Sequence, residues 1–230
     1  MTLKINMKAV TKRRIRNFVK ENMGRETSHD YSHAFRVGNI AMCIAEREGL
    51  EKPSLYEIAG LLHDIGLGLC ERPAHGEVGA QMAQSFLFDI AGKEMTLEEI
   101  TEVVYAISWH NHKKLAPRPS QLLDVLVDAD TLDLLGAVGI WRGLAARPEK
   151  ELGFSVAKIL PTIENARYDT ISKSKRENNS HDLMEQLSYQ ISCADILSTK
   201  TAKLQAEPLL SFMGNFRYML AHELSMSNHE

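Results

Sequence analysis

The 230-residue chain is predicted to be all-α, a helical bundle with a C-terminal helical hairpin. Three observations carry that expectation. Apolar residues recur at spacings of three and four nearly everywhere, alternating stretches bounded by turn signals are missing, and two capping-box patterns stand ahead of apolar runs. A hydrophobic fraction of 44% suffices for one substantial core with a smaller helical appendage.

A first amphipathic helix is expected over Val10 to Asn22. The second, Ser32 to Glu48, places Val37, Ile40, Ala41 and Ile44 on one face together with His33, and Gly49 suits its C-terminal cap. Ser54-Leu55-Tyr56-Glu57 is the first capping box, and the run it opens, Ile58 to Ile65, is apolar on nearly every side. Such a helix belongs mid-domain. Gly66 and Gly68 end it, a loop follows through Pro73, and a fourth helix runs from His75 to about Asp89. Thr96-Leu97-Glu98-Glu99, the second capping box, opens a helix reaching His110. After Pro117 and Pro119, a helix from Ser120 carries Leu122, Leu123, Leu126 and Val127 toward Asp130, and shorter helices follow around Ile140 and Val156. Tyr168 to Ser180 is polar and charged without apolar period, which reads as a mobile loop and the best internal boundary. Beyond it Leu183, Leu187, Ile191 and Ala194 mark one amphipathic helix and Leu209 to Leu224 another, suited to a hairpin or to a homodimer contact. Ser225 to Glu230 should fray. The expected organisation is a single domain over 1–230, with a core at 28–145 and a helical extension at 181–224.

Composition excludes several functions. A formal charge of −3 gives no footprint for nonspecific nucleic-acid binding, while leaving small anionic substrates open. Cys43, Cys70 and Cys193 form no CxxC pair, so neither a zinc knuckle nor a disulfide framework is indicated. Lys4, Lys8 and Lys12-Arg13-Arg14 interrupt any signal-peptide pattern, and no window approaches a membrane span. A cytoplasmic protein is expected.

The chemistry-bearing residues are scattered: His33, the pair His63-Asp64, and Asp130, each on a stretch that reads as buried helix. Buried ionisable groups are costly unless paired or metal-bound. Helical register chooses among neighbours, because residues three, four and seven apart share a face. Asp130 follows Val127, Leu126 and Leu123, whereas Asp128 follows Val125, Asp124 and Gln121, a mostly polar face, so Asp130 is the expected ligand. His110, behind Ile107, Ala106 and Val103, is preferred over His112 on the same ground. Mixed imidazole and carboxylate donors suit Mn, Fe, Co, Ni or Zn better than Ca or Mg.

His33, His63-Asp64 and Asp130 resemble the H…HD…D pattern of the HD-domain metal-dependent phosphohydrolase superfamily. The stretches His29-Asp30-Tyr31-Ser32-His33-Ala34-Phe35-Arg36-Val37, Leu62 to Gly66, and Asp128 to Asp133 through Gly136 to Ile140 are similar to the HDxxHxxRV, HD and DADxLDxxGAxGI of a bacterial and archaeal subfamily that includes nucleotide pyrophosphohydrolases. The likeness spans Ser28 to Glu223. It implies a divalent transition metal on His33, His63, Asp64 and Asp130, and hydroxide generated there attacking phosphorus of a small-molecule nucleotide. The expected reaction is nucleoside triphosphate pyrophosphohydrolysis or a nucleotidase reaction. His75-Gly76-Glu77-Val78-Gly79-Ala80 and Ala106-Ile107-Ser108-Trp109-His110 also resemble the two-metal dinucleoside-polyphosphate hydrolase branch, which implies a second ion at His75 and His110, bridged by Asp64. On this reading Glu77 orients the attacking water, and Arg36, Arg72, Lys113, Lys114 and Arg142 are the candidate phosphate contacts.

Blander readings compete with each choice. Any one of these ligands alone is more often a hydrogen-bonded core residue, His75 and His110 could cap helices, and Lys113-Lys114 could be a solvated helix end. Asp133 could support Asp130, His29 and Asp30 could back the ligands, and Cys70 could be filler. A di-iron oxygenase sharing the six donors, and a non-catalytic nucleotide-binding regulator, are the rival functions.

Overall fold

A computed structural model of the protein describes residues 8–23, 29–70, 72, 74–91, 94–145 and 183–226. Among the described residues the chain is helical, with no strand, as the periodicity predicts. It divides into two compact units, residues 1–133 with 197–204, and residues 134–196 with 205–230. The division falls at Leu134, ahead of the core boundary expected near residue 145.

In the first unit α1 (Ala9–Asn22) buries Thr11, Ile15 and Val19 at a spacing of four. Beside that stripe, Lys12 and Arg16 reach Glu57 at 2.7 and 3.0 Å. Glu57 is thus buried against α1 and does not close a capping box. α3 (Pro53–Leu62) begins before Ser54, with Lys52 in the left-handed region at φ 49° and Pro53 at the first helical position, where a missing N–H costs nothing. α2 (Tyr31–Arg47) starts where the Asp30 side chain accepts from the His33 N–H at 2.9 Å, and the chain leaves it through Gly49 at φ +70°.

Two glycine contacts set the spacing that the site depends on. Where α2 crosses α3, a Cβ on Gly60 would lie 2.7 Å from the Gly38 Cα. A Cβ on Gly66, in the short 3-10 helix Ile65–Gly68, would lie 2.1 Å from the His75 carbonyl oxygen, so α4 (His75–Ala91) starts against it. Side chains at either crossing would push apart the elements carrying His33, His63, Asp64 and His75.

α5 (Leu97–Trp109) packs along α4 and carries the complete Thr96–Glu99 capping box that its sequence predicts. A second 3-10 helix, His110–Leu115, follows. The Ser120 hydroxyl accepts from the Leu123 N–H at 3.1 Å and opens α6 (Gln121–Asp133), which packs on α2, α3 and α5.

The second unit contains α7 (Gly136–Ala145), α8 (Leu183–Ser192), a 3-10 helix (Cys193–Ile196) and most of α9 (Lys200–Met226). Gln190 is fully buried and donates to the carbonyls of Gly139 at 2.6 Å and Leu134 at 3.2 Å, tying α8 to the start of α7. α9 starts at Lys200 and includes Pro208, so it begins well before the expected Leu209, and Ser225 and Met226 are helical rather than frayed. The helix expected around Val156 and the polar stretch 168–180 lie outside the described residues. No helix among the described residues is long and apolar enough to cross a membrane.

Candidate metal centre

The site lies within the first unit and is built at helix ends. α3 stops at Leu62; His63 keeps helical angles, and Asp64 leaves them at φ −105°, ψ 7°. The helix expected to continue to Ile65 therefore breaks at the His-Asp pair, and that turn lets the imidazole and carboxylate converge. The last carbonyls of a helix lack intrahelical donors. His63 Nδ1 supplies one, donating to the Gly60 carbonyl at 2.8 Å, and His110 Nδ1 does the same to the Ile107 carbonyl at 2.7 Å at the end of α5. His33 Nδ1 lies 2.8 Å from Asp133 Oδ2, and that carboxylate also accepts from Arg36 Nε at 2.6 Å and Nη2 at 3.0 Å. Carbonyl and carboxylate oxygens only accept, so these three rings carry N–H at Nδ1 and turn the Nε2 lone pair inward.

Those lone pairs converge on Asp64 in two groups. His33 and His63 Nε2 are 3.2 Å apart and lie 3.5 and 3.3 Å from Asp64 Oδ2. His75 and His110 Nε2 are 3.1 Å apart and lie 3.3 and 3.4 Å from Asp64 Oδ1. Each oxygen of one buried carboxylate thus faces its own pair of imidazoles. Asp130 Oδ1 joins the first group, 3.4 Å from His33 Nε2 and 3.9 Å from His63 Nε2. With metal bonds of about 2.0–2.2 Å, adjacent ligand atoms in tetrahedral or octahedral geometry sit about 2.8–3.6 Å apart. The donor atoms of His33, His63, Asp64, His75 and His110 fit a divalent transition metal on that measure, and Asp130 fits it toward His33 but stands slightly wide of it toward His63. In the first group two imidazole lone pairs face each other and two carboxylates, an arrangement that needs a cation among them.

Electrostatics agree. Burial alone would lower the His63 pKa, but the charge and hydrogen bond of Asp64, the charge of Asp130 and the Gly60 carbonyl together raise it to about 9. Burial would raise the Asp64 carboxyl, yet the surrounding imidazoles His63, His110 and His33 hold it well below the usual carboxylate range.

His33, His63, Asp64, His75, His110 and Asp130 are brought together as the sequence expects, but Asp130 is reached by a different route. Its side chain is 40% exposed, on the open side of the cluster, whereas Asp128 is fully buried. Asp128 accepts from the Ser198 N–H at 2.8 Å and from the Thr199 N–H and hydroxyl, both at 2.7 Å. The polar face of α6 is covered by the segment before α9, which register alone does not show. His112 is exposed, consistent with the preference for His110.

Most of the expected phosphate contacts, and the expected water-orienting residue, have protein surroundings of their own. Arg36 closes its guanidinium on Asp133, and Lys113 spans Asp124 at 2.8 Å and the Ser198 hydroxyl at 2.6 Å. Lys114 is exposed, and Arg142 is buried within the second unit. Glu77 stands about 200° round α4 from His75, and lines a shallow groove with Gln81, Tyr105 and Trp109. Arg72 remains beside the site. Its Nη2 lies 2.8 Å from His29, whose ring is edge-on to His33 at 5.4 Å. Asp30 caps α2 rather than backing a ligand, and the Cys70 thiol donates to the Gly66 carbonyl at 3.4 Å. Asp133 supports His33. The signal for it was present, since Asp133 and Arg36 each lie three residues past a ligand.

Comparison with known proteins places this architecture. The HD domain family profile matches residues 30–135, a stretch holding all six ligand candidates. The chain thus carries a match to the HD domain over residues 30–135. The chain is similar to YpgQ of Bacillus subtilis strain 168, 35% identical over 135 residues, spanning 56% of this chain and 62% of that protein. The match thus covers less than two thirds of that relative. An HD superfamily hydrolase from an uncultured Thermotogales bacterium shares the fold at a TM-score of 0.61, 27% identical and covering 92% of this chain and 91% of that one. The structure of B. subtilis YpgQ in complex with ADP superposes at a TM-score of 0.64, 22% identical and covering 92% and 97% of the two chains.

Proposed function

We propose that this protein is a metal-dependent phosphohydrolase acting on nucleoside phosphates, as a nucleoside triphosphate pyrophosphohydrolase or nucleotidase. The observation that carries the reading is the sharing of Asp64, one oxygen to each pair of imidazoles. The match to the HD domain brings metal-dependent phosphohydrolysis as its general chemistry, and the ADP bound to the similar fold of YpgQ supports a nucleotide.

His33, His63, Asp64 and Asp130 would hold one ion, and His75 and His110 a second across Asp64. A bound divalent ion lowers the pKa of water and polarises a phosphoryl oxygen. The protein supplies fixed lone pairs, through Asp133 and the carbonyls of Gly60 and Ile107, and rings buried from bulk water. Asp130, the exposed ligand, marks the side from which substrate enters. Arg72, beside His29, would meet a phosphate there, a role its position near His33 supports.

The His75–His110 pair favours a second reading, a two-metal dinucleoside-polyphosphate hydrolase. The test is a panel of nucleoside mono-, di- and triphosphates and dinucleoside polyphosphates with Mn, Co or Ni. Pyrophosphate or phosphate release supports the first reading and cleavage between two nucleosides the second. Inactivity with every metal and substrate would sink both, and leave the regulator or the di-iron oxygenase.

A further inference from the structure

The two halves of the centre differ in where their protons sit. His33 and His63 each spend their N–H outward, on Asp133 and the Gly60 carbonyl, so both Nε2 atoms are acceptors. They face Asp64 Oδ2 and Asp130 Oδ1, also acceptors. With neutral rings that pocket holds four acceptors and no donor.

The other half contains a donor. His110 is pinned by the Ile107 carbonyl, but His75 Nδ1 is buried without a hydrogen-bond partner among the described residues. The cause is position in the chain. His63 and His110 follow helices and find a carbonyl three residues back, whereas His75 opens α4 and has no helical turn behind it. Its N–H is therefore best placed on Nε2, 3.1 Å from His110 Nε2 and 3.3 Å from Asp64 Oδ1, where it gives a waiting acceptor a hydrogen bond. An ion entering there must break that bond and move the N–H to Nδ1, which has no acceptor among the described residues. It also finds three protein ligands where the first pocket offers four.

We infer that the centre loads in order: a resident ion in the His33–His63–Asp64–Asp130 pocket, then an ion in the Asp64–His75–His110 pocket that binds more weakly and is completed by substrate phosphate oxygen. The gap is about 10- to 100-fold in affinity, the usual cost of losing an outer hydrogen-bond partner of a metal-ligating histidine. The ordering deepens the phosphohydrolase reading, and its phosphate clause rests on it.

Titration of metal-free full-length protein with Mn²⁺, following free ion by its paramagnetic resonance, reads the ordering without turnover. Two unequal steps are expected, and a nucleoside triphosphate analogue with a methylene bridge should tighten the weaker one alone. His110→Ala should remove the weak step and keep the tight one; Asp130→Asn, at a half-exposed position, should weaken the tight one. Equal steps, a single step that the analogue does not extend, or loss of the tight step in His110→Ala would overturn the inference. Unequal steps in a protein that hydrolyses no nucleotide would keep the order and remove the phosphohydrolase reading. Nucleotide turnover with equal steps would do the reverse.

Discussion

Replacing Asp133 by Asn tests whether the centre is held from behind. The Asp133 carboxylate is 2% exposed and takes three donors: His33 Nδ1 at 2.8 Å, Arg36 Nε at 2.6 Å and Arg36 Nη2 at 3.0 Å. An amide of the same shape keeps one acceptor oxygen and turns an NH₂ group toward a donor. At least one buried N–H then loses its partner, at about 1–3 kcal/mol. Arg36 is 35% exposed and can turn to water, so its share of the ion pair is discounted to about 1 kcal/mol or less. The expected loss of stability is therefore about 1–4 kcal/mol in urea unfolding of the metal-free protein. If the Asn oxygen turns to Arg36, His33 is no longer fixed with its lone pair inward, and the tight metal step should weaken about 10- to 100-fold. Arg36→Gln, which leaves the carboxylate on His33, should cost the metal step only a few-fold. A folded Asp133→Asn protein that binds its first ion like wild type would refute the argument.

Other consequences are measurable. The folded pKa of His63, about 9, exceeds its ordinary 6.5, so protonation stabilises the metal-free protein fully below pH 6.5 and that stabilisation is lost as pH rises through 9. Metal must displace this proton, so affinity should climb about tenfold per pH unit up to that point; a flat profile between pH 7 and 9 would contradict it. Asp128→Asn should cost about 1–3 kcal/mol by impairing the acceptor for residues 198–199, with little change in metal affinity, whereas Asp130→Asn should do the opposite in the same two assays. Removing both cations with Lys12→Met and Arg16→Met strands Glu57, buried at 3% exposure, and should cost about 3–5 kcal/mol, more than Glu57→Gln does. Gly66→Ala should unfold the site or the domain in thermal melts, since its methyl would meet the His75 carbonyl at 2.1 Å; a wild-type melting temperature would show that the 3-10 helix can retreat.

Much of the fold was legible because helix periodicity and local caps act within a few residues. The Thr96–Glu99 box, the Gly49 exit and the helices around His33 and Asp130 are where the pattern puts them. The failures share one cause. Ser54-Leu55-Tyr56-Glu57 has the letters of a capping box, but Lys12 and Arg16 of α1 claim Glu57. Asp128 sits on a polar face, but residues 198–199 cover it. In each case a partner 41 to 71 residues away outweighs the local pattern.

By itself the sequence determined an all-α chain and the identities of six convergent donors, because residue type and helical spacing are local properties. Only the tertiary structure decided which oxygen of Asp64 faces which imidazoles, that Arg36 pairs with Asp133, and that His75 Nδ1 has no outer partner among the described residues. Those depend on where separate helix ends meet. Hydrogen-bond direction at a helix start or end is fixed by carbonyls within a turn, but the group met on the other side is chosen by packing.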